Sequence, residues 1–140
     1  MLRSLAFSFF LFGFAAAVPA ADVSDADARA IHAVITEQLD AFAHDDGPHA
    51  FSLATSGIRE RFGSPEVFMD MVRTHYPVVY RPKSVHFEQP AVVDGEVIQP
   101  VRMTDDDGEP WVAFYPMVRQ PDGRWRINGC QLERVRGHRA

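Results

Sequence analysis

Apolar residues recur at three- and four-residue spacing in the first half of the chain and at two-residue spacing in the second. Ile31, Val34, Ile35, Leu39 and Phe42 mark one side of a helix over about Asp25–Ala43. Ser24 and Asp27 stand as a capping pair, and Asp25 and Asp27 suit the positive end of the helix dipole. The run Asp45-Asp46-Gly47-Pro48 ends that helix and opens another, because proline fits a first helical position. Ala50, Phe51, Leu53 and Ala54 predict its buried side, and Gly57 its end. Ile58 and Phe62 predict one further turn, closed by Gly63. Ser64-Pro65-Glu66 starts the next helix, with Val67, Phe68, Met71, Val72 and His75 along one side until Pro77 stops it near Tyr76.

After Pro77 the period changes to two. Val79 to Phe87 predicts a strand interrupted by Pro82, and therefore bulged or at an edge. Asp94-Gly95, between Val92-Val93 and Val97-Ile98, is a two-residue hairpin signal. Asp105-Asp106-Asp107-Gly108 predicts the next turn, between Val101–Thr104 and Trp111–Tyr115. Pro121-Asp122-Gly123 predicts a third, leading into a strand over Trp125–Leu132. Successive short hairpins make an antiparallel meander, since parallel strands need long crossovers. Helices first and a meander after is the α+β class. The expected shape is a cone, with N-terminal helices packed in a curved antiparallel sheet. Alternation puts Trp111, Ala113, Tyr115 and Met117 on one face and Val112, Phe114 and Val118 on the other; both faces are apolar, so the pattern leaves the interior face open.

Composition adds the compartment. At 46% hydrophobic and 24% charged, the 140 residues read as one globular domain. Nineteen acidic against fourteen basic residues give a net charge of −5, without the basic footprint a nucleic-acid partner needs. Met1 to Ala21 contains one charge, Arg3, then an apolar stretch from Leu5 to Val18 and the small residues Val18-Pro19-Ala20-Ala21. That is the pattern of a secretory signal peptide cut after Ala20 or Ala21. The apolar stretch would rise only about 21 Å as a helix, short of the roughly 30 Å a membrane anchor must span. The expected divisions are a signal over 1–21, a domain over 22–133 and a frayed tail over 134–140. The mature protein is expected in the periplasm or outside the cell, with no membrane attachment. The single cysteine, Cys130, admits no intrachain disulfide or cysteine-based zinc site, and its neighbours Ile127 and Leu132 read as a buried strand.

The stretches Ala33-Val34-Ile35-x-x-Gln38-Leu39-Asp40-Ala41-Phe42 and Ile58-Arg59-x-x-Phe62-Gly63-x-Pro65-x-x-Phe68-x-x-Met71-Val72 resemble a bacterial family known as domain of unknown function 4864. Tyr76-Pro77-x-Val79-Tyr80-Arg81-Pro82 and Pro121-Asp122-Gly123-x-Trp125-Arg126-Ile127-x-Gly129-Cys130 extend the likeness over nearly the whole mature chain. The last strand is also similar to those of nuclear transport factor 2-like and SnoaL-like domains. The resemblance implies a cone with an apolar pocket, often dimeric through its sheet. It carries no established catalytic residues.

A cone with a mouth is a natural small-molecule site. The polar and aromatic candidates to line it are His75, Tyr76, Tyr80, Arg81, Trp111 and Tyr115. His75 and Tyr115 form the one acid–base pairing the pattern offers, and an isomerase, dehydratase or cyclase would use them. The strand acids, Glu88, Asp94, Glu96, Asp105–Asp107 and Glu109, fall at turns or strand ends, where a buried base would not sit. His44-Asp45-Asp46 with His49, and Asp105–Glu109, read as solvated turns and not metal sites, so no metal or cofactor is implied. Arg59, Arg61, Arg73, Arg81 and Lys83 read as surface cations beside Glu60, Glu66 and Asp70. The favoured expectation is a non-catalytic exported domain that binds a small, partly apolar ligand or a protein partner, as a homodimer through the sheet. An enzyme using His75 and Tyr115, and a filled cone acting only through its sheet, are the alternatives.

Overall fold

The computed structural model describes residues 23–136. Its first helix, α1, spans Asp25–Ala43, and the Ser24 hydroxyl accepts the Asp27 amide at 3.1 Å as its cap. Ile31, Val34, Ile35, Gln38 and Phe42 are buried along one side. The next helix is shorter than the sequence suggests. α2 (Gly47–Ser52) ends before Leu53, and Gly57 lies inside α3 (Ser56–Phe62) instead of closing α2. The reason is Thr55, whose hydroxyl caps α3, while Ala54 before it bridges to Ile127 of the sheet. The Thr55 amide donates to Ile127 O at 2.9 Å, and the Ile127 amide donates to Leu53 O at 3.0 Å.

α4 (Pro65–His75) starts as expected on the Ser64 cap. Its buried side is Phe68, Met69 and Val72, while Val67 is 52% exposed. Where the sequence predicts a strand from Val79, the chain forms one more turn of helix, α5 (Pro77–Tyr80). Pro77 occupies its first position and so starts a helix as well as ending one. The first strand, β1, is correspondingly short, Ser84–Phe87.

The sheet is built on one long hairpin, β3 (Glu96–Thr104) and β4 (Pro110–Arg119). β1 and β2 (Ala91–Val93) both pair with β3; β5 (Trp125–Ile127) and β6 (Gln131–Arg134) both pair with β4. All pairings are antiparallel. Asp94 (φ 50°) and Gly95 (φ 79°) make the two-residue turn between β2 and β3. The single strand expected over Trp125–Leu132 is divided at Asn128–Cys130. Asn128, Gly129 and Cys130 face only Tyr115 and Pro116, so one extra residue bulges out. Pro116 explains the place: the Asn128 amide donates to Pro116 O at 2.8 Å, but proline has no amide to return the bond. The same happens across the hairpin, where Glu88, Gln89 and Pro90 face Gln99 and Pro100. Arg134 ends β6 and the Val135 amide donates to Pro110 O at 3.0 Å, so the start of the expected tail is tied to the sheet. The expected signal segment lies outside the described residues.

The curved sheet closes around the helices as a cone-like half-barrel. Its inward face is now fixed. Gln99, Val101, Met103, Ala113, Tyr115, Met117, Trp125 and Ile127 are buried against α1, α4 and α5. Gly129 sits at φ 129°, which only glycine adopts readily, and this permits the bulge. Gly129→Ala is therefore expected to cost about 1–3 kcal/mol in urea unfolding. Unchanged stability would show that the bulge needs no glycine.

Candidate functional site

The helices and the sheet leave a hollow of about 690 Å³ on the inward face. Phe42 from α1, Ile58 and Phe62 from α3, Phe68, Met71 and Val72 from α4 and Val79 from α5 form apolar walls. The far wall is Tyr115 with Ile127 and the bulge, Asn128 to Gln131. The bulge is held to the helices at two points. Thr55 Oγ1 donates to Asn128 Oδ1 at 2.8 Å, and the Tyr76 hydroxyl donates to Cys130 O at 3.0 Å. Gln38 lines the hollow from α1, its amide nitrogen donating to Ala50 O at 3.1 Å.

The Tyr115 hydroxyl is buried without a hydrogen-bond partner. Such an orphan costs about 1–3 kcal/mol and is uncommon among buried side chains. Its neighbour is the Cys130 thiol, which falls outside hydrogen-bonding geometry. Burial, reinforced by that thiol, pushes the Tyr115 hydroxyl well above the usual tyrosine range. Burial pushes the Cys130 thiol up to about 12, against a smaller lowering by the Tyr115 hydroxyl. Tyr76 is raised too, chiefly by burial. All three stay protonated at neutral pH. Of the three only Tyr76 donates a hydrogen bond, to Cys130 O, and none supplies a base or a thiolate nucleophile.

Among the described residues lining the hollow there is no Asp or Glu. Its charged or titratable polar rim consists of Arg61 and His75, both exposed. Of the six site candidates, His75, Tyr76 and Tyr115 share this hollow. Tyr80 and Arg81 open instead on a shallow trough between α1 and β1, with His32, Asp40, Lys83 and Phe87. Asp45 collects them there. Its carboxylate accepts the Tyr80 hydroxyl and lies 3.4 Å from both Arg73 and Arg81. The Tyr80 hydrogen bond, then the arginines, hold the Asp45 carboxyl below its usual range. Trp111 stands apart from both hollows; its indole donates to Asp105 at 3.0 Å, and Arg134 lies 5.2 Å from its ring. Sequence reasoning missed Arg61, Gln38 and the bulge as wall residues. The bulge had a signal: Ile127 and Leu132 are both apolar yet five positions apart, so an unbroken strand would turn them to opposite faces.

His49 pairs with Glu37 at 2.9 Å, the His44 ring meets Asp40 O at 2.8 Å, and Asp105 accepts the amides of Asp107 and Glu109. These side chains are committed to local structure.

An α+β cone with an apolar hollow edged by Arg61 and His75 is the class of domain this geometry defines. Residues 24–140 match the family described as Domain of unknown function (DUF4864), and the chain belongs to that family. No curated protein and no solved structure matches it.

The raised thiol has a measurable consequence. An unfolded cysteine loses its proton near pH 9.0, while folded Cys130 holds it to about 12. Stability carried by the neutral thiol is complete below pH 9 and is lost as pH rises toward 12, by up to about 1.4 kcal/mol per pH unit. The Tm of the wild type is expected to fall faster than that of Cys130→Ser across this range. Parallel curves would mean that the thiol is equally solvated in both states.

Proposed function

We propose that this domain is an exported binding module that holds a small, partly apolar ligand inside the cone. The observation that carries the reading is the hollow itself, of drug-like size, with apolar walls and one orphaned hydrogen-bond donor at Tyr115. A ligand acceptor would relieve that orphan, after a small shift of the side chains that cover it. Export rests on the N-terminal sequence, with its single basic residue, apolar stretch and small-residue exit. The absence of an acid from the lining among the described residues, and the protonated state of Tyr115, favour holding over converting a ligand.

Two measurements test this. Tyr115→Phe removes the orphan and keeps the ring, so the ligand-free protein is expected to gain about 1 kcal/mol or stay unchanged in urea unfolding. A clear loss would mean that the hydroxyl is already satisfied in the folded protein. N-phenyl-1-naphthylamine, a neutral apolar fluorophore, is expected to bind one per chain and to be excluded by Ile58→Trp, which fills the hollow. Failure to bind the wild type sinks the reading.

We propose also that two copies associate through the outer sheet face. Ile98, Pro100, Val112, Phe114 and Pro116 lie half-buried there, beside Val118 at 37% exposed. That is an apolar file on a face that turns away from the core. Sedimentation of the wild type is expected to give a dimer, and Phe114→Glu a monomer. A monomeric wild type removes this part.

A further inference from the structure

The charges around the hollow are one-sided. Arg61 sits on α3 at its edge, with the guanidinium carbon 5.9 Å from the Phe62 ring that forms part of the wall. That distance is the outer limit of a cation–π contact, and among the described residues the Arg61 donors have no hydrogen-bond partner. Among the described residues Arg61 makes no ion pair, whereas Arg73 and Arg81 are drawn to Asp45 and Arg102 to Glu88. His75, at the last position of α4, adds a second nitrogen donor on the same rim. The remaining polar side chains of the wall, Gln38, Asn128, Gln131, Tyr76 and Tyr115, carry no negative charge at neutral pH. An anion arriving here meets no carboxylate in the wall, although the chain as a whole carries a net charge of −5.

Resting on the cavity reading above, we propose that the ligand is an amphiphilic monoanion, an apolar body with a carboxylate or like head, whose head lies at Arg61 and His75. The apolar body enters among Phe42, Phe62, Phe68 and Met71, and an oxygen on that body meets Tyr115. The orientation follows from desolvation. A carboxylate driven to the depth of the hollow would lose its water among aromatic walls, and at the rim it keeps water and gains Arg61. A cationic amphiphile would face like charge at the rim and find no acid within.

Two matched probes separate this inference from the one beneath it. 1-Anilinonaphthalene-8-sulfonate has the same aromatic body as N-phenyl-1-naphthylamine, plus a sulfonate. At low salt the sulfonate is expected to bind wild-type protein about fivefold tighter than the neutral probe, the upper range for an exposed ion pair. Arg61→Gln is expected to bring the ratio of the two affinities from about five to about one, as is high salt, which screens the head. Equal affinities, or an advantage that survives Arg61→Gln, overturn the anion inference and leave the cavity reading standing. Failure of both probes overturns the cavity reading and this inference with it. Sulfonate binding that persists in Ile58→Trp places the anion outside the cone and overturns the inference as well.

Discussion

The two prolines in the middle of the long hairpin, Pro100 and Pro116, constrain everything around them. In an antiparallel strand a residue's amide and carbonyl point to the same neighbour. Pro100 turns its carbonyl outward to the Glu88 amide, and Pro116 turns its carbonyl outward to the Asn128 amide. On both edges the returning bond is missing, since proline has no proton to give. Neither edge strand pairs straight through. Each is cut in two by one extra residue, which reverses the inward phase: Trp125 and Ile127 point in before the bulge, and Cys130 and Leu132 pack on the core after it. Bulges also bend and twist a sheet, so the same two residues help to make the half-barrel that surrounds α1.

The two bulges are alike in backbone and opposite in what fills them. Behind the first lies Gln99, 1% exposed, with its side-chain amide donating to Glu88 O and Pro100 O at 2.7 and 2.8 Å. That side is sealed. Behind the second lies Tyr115, the cross-strand partner of Gln99 in the β3–β4 register. Its ring is as deeply buried, but its hydroxyl, beside Cys130 of the bulge, finds no partner. The free carbonyl of Cys130 is taken by Tyr76 from the end of α4 instead. Thr55 and Tyr76 together tie the second bulge to the helical layer, and the hollow lies between bulge and helices.

Much of this was legible in the residues. The cap at Ser24 and the apolar spacing place α1 at its observed bounds, and Asp94-Gly95 and Pro121-Asp122-Gly123 mark their turns. Local signals failed where two readings were compatible with one residue. Pro77 ends a helix and also begins one; Val78 and Val79 are apolar neighbours, which suits a strand or a buried helical turn equally. Gly57 suits a helix end, but Thr55 nearby is a stronger start signal because its hydroxyl serves both α3 and Asn128. Tyr80 and Arg81 were separated from the hollow by Asp45, an interaction thirty-five residues away for Tyr80 that no spacing encodes. Arg61 looked like one more surface cation, because its meaning depends on which wall Phe62 joins.

The distribution of arginines then follows from one acidic turn. Asp45 has positive φ, which projects it from the end of α1 toward α4 and α5. It gathers Arg73 and Arg81, and Arg81 also donates to Phe42 O at 2.6 Å. The cations of α4 and α5 are thereby anchored on the outer side of the helical layer. α3 has no acid at its cap, where Thr55 stands, and among the described residues its own Glu60 makes no ion pair with Arg61, which stays at the mouth of the hollow. Polarity therefore runs in one direction through the cone, from a cationic rim across aromatic walls to a neutral donor at Tyr115. A gradient of that kind discriminates by orientation before it discriminates by shape. An apolar body with one negative end is stabilised in a single sense, head outward, whereas an uncharged body of equal size has no preferred end at the rim.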